Sequence, residues 1–320
     1  MIKHFAVFPK EARQYNPPAV KNTDFSQVNT VDENGRNHSY DDKPALIINL
    51  NSKFSPEEFY WYSHGELYRA ENKAHGIRAS STTYETLNEK EKLHSYNGSP
   101  AYIDYDKNAD NLWIQWYENG KLHRADDLPA LMVIENGKIS EEIFYKNGVP
   151  HRGNGLPAQI EQDFTAWIVE GGVHNVKQVA VKEYDHGNGR THIYKKWGLY
   201  GVLIPENVFN STLAYHGKRQ VPLWVAFLRV LNIVTETDID SFMDMNDTWD
   251  AQVPTDWLLR AWGITDEKFK KKINQLFGEL NERNEVIDYQ TYSLNLFLNI
   301  VKSDEAYAAS LKPLGQNSDD

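Results

Sequence analysis

The stretches Asn119–Ala130, NGKLHRADDLPA, and Asn147–Ala158, NGVPHRGNGLPA, superpose without a gap at a distance of 28 residues. The same frame fits NGRNHSYDDKPA from Asn34 to Ala45. It fits again at KLHSYNGSPA, where His94 and Pro100-Ala101 keep the spacing and Lys90-Glu91 stands where the turn dipeptide would be. A weaker copy starts at His64-Gly65 and runs through Tyr68-Arg69, with Ala74-His75 in place of Pro-Ala. Anchors therefore fall at 44, 74, 100, 129 and 157, and an eroded sixth copy runs from Gly171-Gly172 through His174 to Val179-Ala180. Self-similarity at such a period marks a repeat architecture.

Each copy has a physical reading. Asn-Gly between apolar runs is a hairpin signal, because both central residues of a type I′ turn need positive φ. WIQWYE before Asn119 and EEIFYK before Asn147 are then strands entering tight turns. PALMVIE and PALIINL supply the return strands, with Pro expected at the first strand position, where a missing N–H does least harm. Asn136-Gly137 closes one such unit. The expected fold is α+β: a tandem antiparallel β-hairpin or meander array over residues 1–205, then a small helical domain over 206–312 and a frayed tail over 313–320.

The frame Φ-Y-x-N-G-x-x-H-R-x-x-x-x-P-A resembles a family of MORN-like repeats found mainly in proteins of bacteriophages and large DNA viruses. The resemblance covers roughly residues 30–180 and is best at WYENGKLHRADDLPA and FYKNGVPHRGNGLPA. It implies stacked hairpins and a viral origin, and it brings no catalytic residues.

His38, His94, His123 and His151 recur at one repeat position, with Arg124 and Arg152 beside two of them and Pro44, Pro100, Pro129 and Pro157 six residues on. One imidazole per repeat is a poor metal site. The expected role is scaffold: His and Arg fixing backbone carbonyls of their own unit and packing beside the Pro-Ala strand.

From about Val221 the pattern turns helical. VPLWVAFLRVLNIV is apolar on nearly all sides. Thr237-x-x-Asp240 reads as a capping box, Pro254-Thr-Asp opens WLLRAW before Gly263, and Thr265 starts a helix with Phe269, Ile273, Leu276, Phe277 and Leu280 on one stripe. YQTYSLNLFLNIVK is the last of four or five expected helices.

Between Arg229 and Arg260 there is no Lys or Arg, while Glu236, Asp238, Asp240, Asp244, Asp247, Asp250 and Asp256 interleave with Phe242, Met243, Met245, Trp249 and Trp257. This run is the candidate binding surface, either an acidic face with apolar anchors for a basic groove or a solvated face over a helical core. Its spacing lacks the central Gly and terminal Glu of a calcium loop.

Composition excludes several classes. The net charge of −11 disfavours binding to phosphate backbones. Cys is absent from the sequence, so disulfides and thiolate metal sites are excluded, which suits a cytoplasmic location. No apolar run is long enough to span a bilayer. Asp185-His186-Gly-Asn-Gly-Arg-Thr-His192 reads as a turn rather than a metal site, and no phosphate-binding, nucleophile-elbow or His-Glu-x-x-His motif is present. The expectation is a non-catalytic protein without cofactor or metal, binding and inhibiting a host defence protein as a viral accessory factor. The alternatives are a self-assembling structural component and an aromatic repeat module for a sugar or nucleotide.

Overall fold

The computed structural model describes residues 27–48, 57–69, 72–80, 82–106, 108–187, 190–248, 255–277 and 292–310. The chain is α+β, with antiparallel strands followed by helices, and it divides between Val149 and Pro150 into two compact units. The expected tail 313–320 lies outside the described residues.

In the first unit, strands Gln27–Asn29, Leu46–Ile48, Glu57–Tyr60, Gly76–Ala79, Thr83–Leu87, Tyr102–Asp106, Asn111–Gln115, Leu131–Glu135 and Lys138–Ile143 lie side by side in that order. Each is antiparallel to the next. Short hairpins branch off it, including Tyr62–Ser63 with Glu66–Leu67 and Tyr117–Glu118 with Lys121–Leu122. Their turns have both central residues at positive φ, at 50° and 94° for His64-Gly65 and 51° and 81° for Asn119-Gly120. That is the type I′ geometry whose twist matches the flanking strands. Asp32 and Asn88 shape their loops differently, each with a side-chain Oδ1 accepting two backbone N–H groups, from Asn34 and Arg36 and from Lys90 and Lys92.

The anchor alanines Ala45, Ala101, Ala130, Ala158 and Ala180 are all buried, because a strand from the neighbouring hairpin passes against each. Ala130 N–H, for example, bonds the Ile143 carbonyl while its own carbonyl receives Trp116 N–H. The prolines stand two residues ahead of the strands rather than at their first positions, and backbone pairing begins at the alanine that follows each. His75 takes the alanine's place in the weak copy, donating its N–H to the Leu87 carbonyl.

The second unit carries strands Gln159–Glu161, Phe164–Ala166, Val181–Asp185, His192–Leu199 and Val202–Ile204 in one antiparallel order, and then six helices among the described residues. These are α1 Glu206–Arg219, α2 Leu223–Val230, α3 Glu236–Thr248, α4 Thr255–Ala261, α5 Asp266–Phe277 and α6 Leu294–Ser310. The last strands belong with the helices because Leu199, Tyr200, Val202 and Ile204 share one apolar core with Phe209, Phe227, Phe269 and Phe297. Phe297 is fully buried, its ring 5.2 Å from Tyr200 and 5.5 Å from Phe269. Truncating it to Ala would cost roughly 3–5 kcal/mol.

Several helical expectations need correction. Helix α1 buries only Phe209 and Thr212, so it shows no stripe in the sequence. VPLWVAFLRVLNIV is helical only from Leu223 to Val230, because Asn232 adopts a left-handed φ of 53°. The capping box is Thr235 with Asp238: the aspartate accepts Thr235 N–H and Asp238 N–H donates to Thr235 Oγ1. Phe269 and Ile273 are buried as expected, but Leu276 is 38% exposed, because the helix stands at the edge of the core there. Leu280 lies outside the described residues.

Candidate functional site

The repeated histidines share one geometry. The Nδ1 of His38, His94, His123, His151 and His174 accepts the backbone N–H of His64, Asn119, Asn147, Glu170 and Tyr200 at 3.0–3.3 Å. Each donor is the first residue of the next hairpin's tight turn. The glycine beside it, from Gly65 to Gly201, donates its N–H to the carbonyl of the residue preceding the histidine: Asn37, Leu93, Leu122, Pro150 and Val173. A two-pronged clasp thus ties each turn to the hairpin before it. This corrects the expectation that histidine bonds carbonyls of its own unit. A tight I′ turn directs its N–H groups outward, so what it needs from a neighbour is an acceptor.

The arginines do bond carbonyls. Arg124 and Arg152 each donate from a guanidinium NH group to the carbonyl of Pro129 and Pro157, at 3.1 and 3.2 Å. Arg124 also lies 3.6 Å from the ring centre of Trp116, and Arg69 lies 3.9 Å from that of Trp61. The indoles of Trp61, Trp116 and Trp167 in turn donate to the carbonyls of Asp42, Gly98 and Gly155. Pro44 and Pro129 are buried, Pro100 and Pro157 half-buried.

The first unit's core is split. One cluster holds Ile47, Phe59, Trp61, Ala74, Ile77 and Tyr84, another Leu112, Ile114 and Trp116, and Ile103 packs against both. Between them opens a groove of about 850 Å³. Its floor is a cross-strand row, Tyr84 opposite Ile103, Ile103 opposite Ile114 and Ile114 opposite Met132, since alternate residues of paired strands share a face. Three cations line the groove, the buried Arg69 and the half-buried Lys73 and Arg124, and among the described residues no carboxylate does. Asp42 holds Arg69 in a bidentate pair at 2.6 and 2.9 Å and Lys73 at 3.0 Å, and the Arg69 contact keeps the Asp42 carboxyl below its usual range. Burial pushes the Tyr96 phenol up to about 12, so it stays protonated.

The acidic run is dispersed over separate tasks. Glu236 accepts from Tyr215 Oη at 2.7 Å and Arg229 Nε at 3.0 Å, contacts that hold its carboxyl below the ordinary value. Asp238 caps α3, Asp240 pairs with Arg219, and Asp256 lies 3.6 Å from Lys302 Nζ. Asp244 is exposed and Phe242 buried. Met243 packs partly buried against the helical core, so neither apolar residue is presented as an anchor. Asp247 lies in α3, while Trp249 and Asp250 fall outside the described residues.

His186 of the glycine-flanked loop pairs with Asp163 at 2.9 Å, and no group of three metal-ligating side chains occurs among the described residues. No described helix is long and apolar enough to cross a membrane. Comparison with family models, with curated proteins and with solved structures finds no match. The groove was missed in the sequence because its floor comes from strands scattered between residues 77 and 134. The signal available was the alternation in LWIQW and LMVIE.

Proposed function

We propose that the chain is a non-catalytic binding protein built of tandem MORN-like hairpin repeats, and that it holds a partner protein in the groove of its first unit. The observation that carries this reading is the groove itself: an open apolar floor with polar and cationic side chains in its lining, the anatomy of a protein-binding hot spot. The acidic run is the weaker candidate, since Glu236, Asp238 and Asp240 already serve neighbouring groups in the same chain. The repeat resemblance adds the biological setting of a phage or viral accessory factor directed at a host defence protein.

The volume also falls within the range of small-ligand sites. A sugar-stacking module, however, needs open aromatic faces. Here Trp61 and Trp116 are buried, with arginines over their rings.

A pull-down with the intact protein tests the reading beside two variants: Met132→Trp, which fills the groove, and an Asp238→Asn/Asp240→Asn/Asp244→Asn/Asp247→Asn chain. A stoichiometric partner kept by the quadruple variant and lost by Met132→Trp is the expected result. A partner lost only by the quadruple variant would move the site to α3.

A further inference from the structure

The groove's electrostatics narrow its ligand. This chain has a net charge of −11, yet the lining of this groove carries three cations and, among the described residues, no carboxylate. Asp42 pairs with two of the three, Arg69 and Lys73. Arg124 has no carboxylate at all among the described residues. Its guanidinium stacks on Trp116 and gives one hydrogen bond to the Pro129 carbonyl, which leaves most of its five donors unused. Burial presses Arg124 toward its neutral form, a cost that a bound anion would relieve.

We infer that the groove is built for an acidic peptide segment of the partner, with a large apolar side chain on the Ile103–Ile114–Met132 floor and an adjacent Asp or Glu carboxylate bidentate on Arg124. The inference rests on the groove being the partner's seat. A peptide fits better than a free aromatic acid because the floor spans several strands and the cations sit on both sides of it: Arg69 and Lys73 beside the Trp61 cluster, Arg124 beside the Trp116 cluster. Arginine suits the task through its planar fork, which matches a carboxylate.

The test is selection of a display library of random short peptides on the intact protein, followed by titration of the enriched peptides against variants. Enrichment of Asp or Glu next to Phe, Trp, Leu or Ile is expected, with binding roughly tenfold or more weaker on Arg124→Gln. Arg124→Lys, which keeps the charge, should lose less, and it carries the test if Arg124→Gln fails to melt cooperatively. Enriched peptides without acidic residues that Met132→Trp still blocks would leave the groove standing and overturn this inference alone. Acidic peptides that bind Met132→Trp as well as the natural chain would overturn both readings. No enrichment, or no effect of Arg124→Gln, would overturn the acidic-peptide assignment.

Discussion

His123 Nδ1 accepts the backbone N–H of Asn147 at 3.3 Å, and in the same contact Gly148 N–H meets the carbonyl of Leu122 at 2.8 Å. The imidazole therefore acts on a turn 24 residues further along the chain. Replacing His123 by Ala removes the acceptor and leaves the turn amide to water. The expected loss is roughly 0.5–1.5 kcal/mol in the denaturation midpoint. His186→Ala, which breaks an exposed pair with Asp163, should change stability much less. Equal losses would mean that the clasp contributes nothing of its own.

His75 yields a pH dependence. Burial holds its pKa below the ordinary 6.5, and Tyr96 Oη lies 3.1 Å from its Nδ1. The unfolded chain therefore takes up a proton that the folded chain resists. Stability from this group is complete above pH 6.5 and falls as the pH drops through that value toward the lower folded pKa. His75→Gln should flatten the thermal-midpoint profile in that window. An unchanged slope would place the acid sensitivity elsewhere.

His174 is buried and engaged at both nitrogens, accepting Tyr200 N–H at Nδ1 and lying 2.7 Å from Asp304 Oδ2 at Nε2. Asp304→Ala strips the second partner from a buried imidazole, at a cost of roughly 1–3 kcal/mol. The Tyr200 amide should then lose hydrogen-exchange protection, while Asp304→Asn, which keeps an acceptor, should lose less. Full protection in Asp304→Ala would show that α6 does not steady the last clasp.

What the sequence discloses is local. Asn119-Gly120, Asn136-Gly137 and Asn147-Gly148 announce their turns because so few residue pairs tolerate two positive φ angles in succession. Pro-Ala marks strand entry, and Phe269 and Ile273 show the face that α5 buries. What stays hidden depends on neighbours. Nothing within LHR says that His123 will meet the following hairpin rather than its own. Helix α1 hides because Phe209 and Thr212 are its only buried side chains. In the acidic run the partners Arg219 and Arg229 come from α1 and α2, so the run looks unpaired when read as a string.

The clasps have a polarity. In all five, the earlier segment offers the acceptor and the later turn offers the two donors, never the reverse. A hairpin duplicated in frame would arrive with both halves of the joint, ready to receive from one side and give to the other. Length in such a chain can drift by whole units, until Tyr200-Gly201, the last turn of the series, whose histidine is already committed to a helix.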